Sequence, residues 1–337
     1  MRQLIIAVTL FFLSISGFAQ SEVEVFIEEG IEHHDKGEFV KAIESYEKAL
    51  QLDPNSALAN YEISLSYFSK GDYENALKYS DIVLKQDGDY VIPAYMTKGS
   101  ALDMLGRTKE SIKFFEKAIK KTKGHYLLYY NLALNHFKLN DLDNAEKSAI
   151  KGIENNPNHS SSHLLLGIIH DQQGNSVQTL LAAHYFLLLE PNTKRSVQAL
   201  EMLQENFGGN VSKDPDKPNT INITISPNDD KQFGAAEMMV AMLEASKTLE
   251  KNEGKTEDEM FVENTESFFK VLGELKKDKN KEIWWTFYTP FFYDLAKSDH
   301  LEAYCKYITQ SDNKNYQEWL GENEAKLNAF AQWLQED

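Results

Sequence analysis

The chain is 337 residues and 38.6 kDa, 42% hydrophobic and 26% charged, a globular composition with more length than one domain of ~150 residues uses. Its 35 lysines and arginines against 52 aspartates and glutamates leave a net charge of -17, which makes nucleic acid and anionic lipid poor partners. The single cysteine, Cys305, excludes an intrachain disulfide, a thiolate zinc cage and a CxxC redox pair. In chain order, Arg2, an apolar run from Leu4 to Leu13 and the small residues leading to Phe18-Ala19 read as a secretory signal peptide over residues 1–19, with cleavage after Ala19. The run is shorter than the ~20 residues that cross a bilayer, so no transmembrane segment is expected after cleavage. An exported chain with one thiol points to a bacterial periplasm, or to secretion from a bacterium.

From residue 23 a period organises the sequence. Gly37, Gly71, Gly106, Asn140 and Gly174 recur at spacings of 34, 35, 34 and 34, each between two amphipathic helical patterns. A turn there needs a residue tolerant of positive φ, and Asn is the usual substitute for Gly. Five residues after each turn stands a small side chain, namely Ala42, Ala76, Ser111, Ala145 and Thr179, which lets two helices approach closely. Pro54, Pro157 and Pro191 close three of the five units.

This pattern resembles the tetratricopeptide repeat (TPR). The unit at 23–56 carries it best, through Gly30, Gly37, Phe39, Ala42, Ile43, Tyr46, Ala49 and Pro54, and units at 57–90, 92–125, 126–159 and 160–193 follow. The resemblance implies an all-α fold, a solenoid of about five helix-turn-helix repeats in which neighbouring pairs stack to bury their apolar stripes. It also implies a concave face lined by the first helix of each pair. The fifth, ninth and twelfth residues of each unit share one helical face. The expected partner-binding groove is therefore Ile27, Ile31, Tyr61, Leu65, Phe68, Met96, Tyr130, Leu134 and Phe137, with His34, Ser100, Asp103, Leu164, Ile168 and Asp171 at the remaining positions. Chaperone-binding members of the family clamp terminal carboxylates with Lys, Arg and Asn at such positions. Here no Lys or Arg occupies them, and an apolar peptide or helix of a protein partner suits the surface better.

Arg195 to Phe207 is periodic as a helix, and residues 194–208 are expected to cap the array. Residues 209–230 read as linker and short strand, with Ile221, Ile223 and Ile225 alternating with polar residues, followed by a turn at 226–230 that lacks calcium-loop spacing. Helical patterns over about 233–251, 257–277, 281–297, 299–309 and 315–336 make residues 231–337 a helical domain of no recognised family. Its densest aromatic stretch, Ile283 to Tyr293, reads as a buried helix kinked at Pro290. The alternative is a second surface at Trp284 and Trp285, on which a sugar or other small ligand could stack. His163 and His170 lack a third zinc ligand at suitable spacing, Cys305 lacks a cationic setting, and no phosphate loop, nucleophile elbow or HExxH occurs. The expected function is a non-enzymatic adaptor of the bacterial cell envelope with no cofactor, and the alternative is a periplasmic carbohydrate- or small-ligand-binding protein.

Overall fold

The computed structural model describes residues 22–86, 88–208, 211–213, 221–223, 232–246, 254–312 and 315–336. The expected export segment, the turn at 226–230 and most of the linker lie outside these described residues. The chain divides into two compact units, Met1–Ser148 and Ala149–Asp337.

Unit 1 is built from antiparallel helix pairs. In order they are α1 (22–35) with α2 (Phe39–Leu52), α3 (Ala57–Lys70) with α4 (Tyr73–Val83), and α5 (Val91–Met104) with α6 (Thr108–Lys121). Then come α7 (Tyr126–Lys138) and the first half of α8 (Leu142–Asn155), within which the boundary between the units falls. The hinges expected from the sequence adopt the left-handed conformation, Gly37 at φ +75°, Gly71 at +85°, Gly106 at +76° and Asn140 at +57°. The small residues beyond them, Ala42, Ala76, Ser111 and Ala145, are fully buried.

Helix pairs close by matching size across the interface. A Cβ added to Gly30 would lie 2.2 Å from the Tyr46 ring, and one added to Gly99 would lie 2.0 Å from Phe115. Sixteen residues separate the partners in both cases, and at the same spacing in the pair between them stand Ser64 and Ser80, both small and fully buried. An aromatic knob on the second helix is thus accommodated by removing the side chain on the first. A buried polar chain reinforces the third and fourth pairs: Asn135 Nδ2 donates to Ser111 Oγ at 2.6 Å, and Ser111 Oγ donates to the Gly99 carbonyl at 2.6 Å.

Unit 2 holds the end of α8, then α9 (Ser160–Gln173) paired with α10 (Ser176–Leu189), and α11 (Lys194–Gly208) packed against both. The hinge Gly174 has φ +75° and Thr179 is buried, as in the earlier pairs. A short antiparallel hairpin follows, β1 (Val211–Lys213) with β2 (Ile221–Ile223), in the register Val211↔Ile223 and Lys213↔Ile221. The extended segment expected at Ile221 therefore has a partner strand that the sequence had placed in a linker. The remaining helices are α12 (Gly234–Ser246), α13 (Glu257–Leu275), α14 (Thr289–Lys297), α15 (Leu301–Ile308) and α16 (Tyr316–Glu336).

The core of unit 2 sits on α10. Every residue from Val177 to Leu188 is buried, so this helix has no solvent face and is interior. Tyr185 packs against Phe287, Tyr288 and Phe291, and Phe269 stacks on Phe292 with centroids 4.4 Å apart. The expected kink at Pro290 takes the form of one π-helical turn, Trp284–Tyr288, immediately before it. Thr289 N–H donates to the Trp284 carbonyl, five residues back, and the proline at the start of α14 has no N–H to restore the tighter register.

Candidate interaction surface

The first helices α1, α3, α5 and α7 of unit 1 carry the nine expected groove residues. Ile27 departs from the expectation. At 5% exposure it packs with Val23, Tyr46 and Ile63 and supports the pair rather than facing a partner. The reason is that Val23 and Ile27 share the side of α1 that closes onto α2 and α3. Ile31, Leu65 and Met96 are half-buried, Ile31 against that same cluster and Met96 against the one built on Tyr95 and Phe115.

The aromatic members are half-buried, and those of α3 are held by neighbouring rings. Tyr61 stacks on Tyr90, which precedes α5, with centroids 5.7 Å apart and planes 22° from parallel. Phe68 meets Tyr73 edge-on at 5.4 Å. In α7, Tyr130 and Phe137 are half-buried and Leu134 is 37% exposed. Beside them Met104, at the end of α5, and Leu139, at the end of α7, are 52% and 42% exposed. The face therefore offers rigid aromatic and aliphatic side chains, each with one side packed and one side bare, which suits apolar recognition.

Polar groups on these helices are partly committed. Asp103 accepts Lys138 Nζ at 2.9 and 3.0 Å and the Thr108 hydroxyl at 2.6 Å, tying α5, α6 and α7 together. His34 Nδ1 meets Ser66 Oγ at 2.7 Å, and burial lowers the pKa of this imidazole. Glu62, which the sequence reading passed over, is half-buried beside Tyr61. Burial and then the charge of Asp35 push its carboxyl up to about 6. The signal was present, since no Lys or Arg stands within four residues of Glu62 in α3. Tyr90 was missed because it lies outside the helical face, at the start of α5.

In unit 2 the second surface is not formed. Trp284 and Trp285 are 4% and 1% exposed, Trp285 stacked flat on Phe233 at 4.7 Å with its indole N–H donating to Gln232 Oε1, and Trp284 stacked on Tyr288. The π turn rotates both rings inward, leaving neither available to stack on a sugar. His163 and His170 are buried and spent on the fold. His163 Nδ1 lies 2.6 Å from the Tyr288 hydroxyl and its Nε2 lies 2.7 Å from the Pro157 carbonyl, while the His170 ring meets Trp284 edge-on. Cys305 is buried and its thiol is pushed well above the ordinary range by desolvation. Among the described residues no three His, Cys, Asp or Glu side chains gather in a metal-holding group. No helix among them is long and apolar enough to cross a membrane.

Comparison with known proteins agrees with the helix pairs. A TPR repeat family model matches residues 30–71, and a tetratricopeptide repeat model matches residues 57–89, 92–120 and 126–159. The chain is 32% identical over 101 residues to the Hsp70-Hsp90 organising protein of Plasmodium falciparum, covering 30% of this chain and 39% of that one. It is 26% identical over 109 residues to the NADPH oxidase activator of Dictyostelium discoideum, covering 32% of this chain and 17% of that one. The chain thus spans well under half the length of these curated relatives. Among solved structures, a thermophilic TPR protein from Thermus thermophilus is similar with a TM-score of 0.46 and 17% identity, over 54% of this chain and 98% of that one.

Proposed function

Because its repeats make this chain a tetratricopeptide-repeat protein, we propose that it is a non-enzymatic interaction scaffold of the bacterial cell envelope. Its groove on α1, α3, α5 and α7 holds an apolar peptide or helix of a partner protein. Protein interaction is the general role of such repeats, and the observation that carries the finer reading is the row of half-buried Tyr61, Leu65, Phe68, Met96, Tyr130 and Phe137 with exposed Leu134 on one set of helices. Side chains fixed on one side and bare on the other lose little entropy when covered. The envelope setting is supported by the export pattern of residues 1–19 and by the single cysteine.

A photo-crosslinking amino acid at Leu134, with a matched one at Val40 on α2, tests the groove in cells. The expected result is a discrete partner adduct from position 134, absent from position 40 and lost on Tyr61→Ala with Phe137→Ala. Equal adducts from both positions would place the contact elsewhere. Amino-terminal sequencing of the purified protein tests export, with Gln20 as the expected first residue and an intact Met1 as the contrary outcome.

A further inference from the structure

Glu62 is the least accommodated charge on the groove helices. Among the described residues its carboxylate is in no hydrogen bond and no ion pair, and it feels the like charge of Asp35, which repels it. A half-buried carboxylate normally acquires a cation or hydrogen-bond donors, because its desolvation is otherwise uncompensated.

The distribution of charge across the pairs strengthens the point. The helix α1 carries five glutamates and Asp35 with no lysine or arginine. Lysines gather instead on the second helices, five of them on α6 alone, between Lys109 and Lys121. Of the lysines on the other first helices, Lys98 pairs with Asp81, Lys138 with Asp103, and Lys70 lies over the Tyr67 ring. No lysine of unit 1 serves Glu62. Beside this uncompensated acid stands the stacked Tyr61 and Tyr90 pair, an apolar surface next to an anionic point.

We propose that the groove of the first two pairs takes a partner-protein segment in which a lysine or arginine is flanked by apolar side chains. The apolar side chains cover Tyr61 and Leu65, and the cation pairs with Glu62, with Asp35 behind it. This rests on the groove reading above and names the chemistry that the groove selects. A free polyamine would satisfy the charge and leave the rings uncovered, so a peptide segment fits the surface better.

Displayed random peptides of about twelve residues, panned on the full chain, test it. Selected sequences are expected to be enriched in Lys or Arg beside aliphatic residues, and that basic enrichment is expected to vanish on Glu62→Gln while the aliphatic preference stays. For one selected peptide, replacing its lysine by norleucine is expected to weaken binding roughly tenfold, with Glu62→Gln giving the same loss and the two losses not adding. Circular dichroism of Glu62→Gln checks folding, which removal of an unpaired charge favours. Selected peptides without Lys or Arg, or a double-mutant cycle without coupling, would overturn this inference and leave the apolar groove standing. Selection no better than on the Tyr61→Ala, Phe137→Ala variant would overturn both. Dimerisation in sedimentation that is lost on Glu62→Gln would make a second copy the occupant and overturn the partner assignment.

Discussion

Lowering the pH is expected to unfold unit 2 through two histidines. His163 is held by burial at a pKa of about 4 and His184 at about 3, against 6.5 for each in the open. In the fold both rings are neutral, and the unfolded chain takes up two more protons once the pH drops below 6.5. A lowered imidazole pKa therefore contributes stability above 6.5 and loses it as the pH falls toward the folded value. The full effect is about 3 kcal/mol for His163 and about 5 kcal/mol for His184, at 1.36 kcal/mol per unit. Between pH 7 and pH 5 the two together remove ~4 kcal/mol, a large part of the ~5–15 kcal/mol of a typical domain. The structure shows why neither ring accepts a proton in place. His163 is buried away from water, and that desolvation of the charged ring outweighs the Pro157 carbonyl, whose hydrogen bond with Nε2 favours the protonated form. His184 meets the Tyr304 hydroxyl at Nδ1, its Nε2 has no partner, and Phe207, Phe261, Phe269 and Phe292 surround the ring. All four tryptophans lie in unit 2, so urea unfolding followed by tryptophan fluorescence reads this unit selectively. The midpoint is expected to fall steeply from pH 7 to pH 5, and His163→Gln to remove about half of that slope. A stability constant to within about 1 kcal/mol over this range would refute the reasoning.

Four further outcomes follow from the packing of unit 1. Glu62 has the opposite sign to the histidines: its acid is raised from 4.5 to about 6, so ionising it costs stability as the pH rises through that window. The cost is ~1 kcal/mol after allowance for partial solvent screening, and Glu62→Gln is expected to recover it at pH 7 in a thermal melt. Gly99→Ala is expected to destabilise by ~1–3 kcal/mol despite the better helix propensity of alanine, because its Cβ would meet Phe115 at 2.0 Å; combining it with Phe115→Leu should restore part of the loss. At Gly71, where nothing lies within 4 Å but φ is +85°, alanine is expected to cost ~1 kcal/mol that no neighbouring substitution relieves. Asn135→Ala is expected to cost ~1–3 kcal/mol by breaking its bond to Ser111, measured by chemical unfolding.

The repeats were legible because their constraint is local and recurs. A positive φ at each hinge and a small side chain five residues beyond it each restrict a single position, and the restriction returns every 34 or 35 residues. The π turn at Trp284 was not legible, because it depends on how Pro290 and the rings of α10 and α13 meet, and these lie far apart in the chain. For the same reason the exposure of Trp284 and Trp285 could not be read from spacing, since an aromatic run serves a core and a surface equally well. Ile27 shows the converse limit. Helical phase placed it on the groove face, but the packing of α1 onto α2 and α3 makes the same residue core.

The histidines connect these observations. In the sequence His163 and His170 lacked a third zinc ligand, and the fold gives them and His184 a different role. In α10 the large Tyr185 meets the rings of Phe287, Tyr288 and Phe291, an aromatic layer in place of another helix pair of the same kind. Histidine serves there as a flat ring that also bonds a tyrosine hydroxyl: phenylalanine at 163 would leave the Tyr288 hydroxyl without this partner, and phenylalanine at 184 would leave Tyr304 only its bond to the residue-184 carbonyl. The fifth unit thus spends its outer helix on the carboxy-terminal helices, whereas the faces of α3 and α7 in unit 1 keep bare aromatic and aliphatic side chains. Loss of repeat fidelity marks where the solenoid has become core, and the more faithful repeats retain the surface suited to recognition.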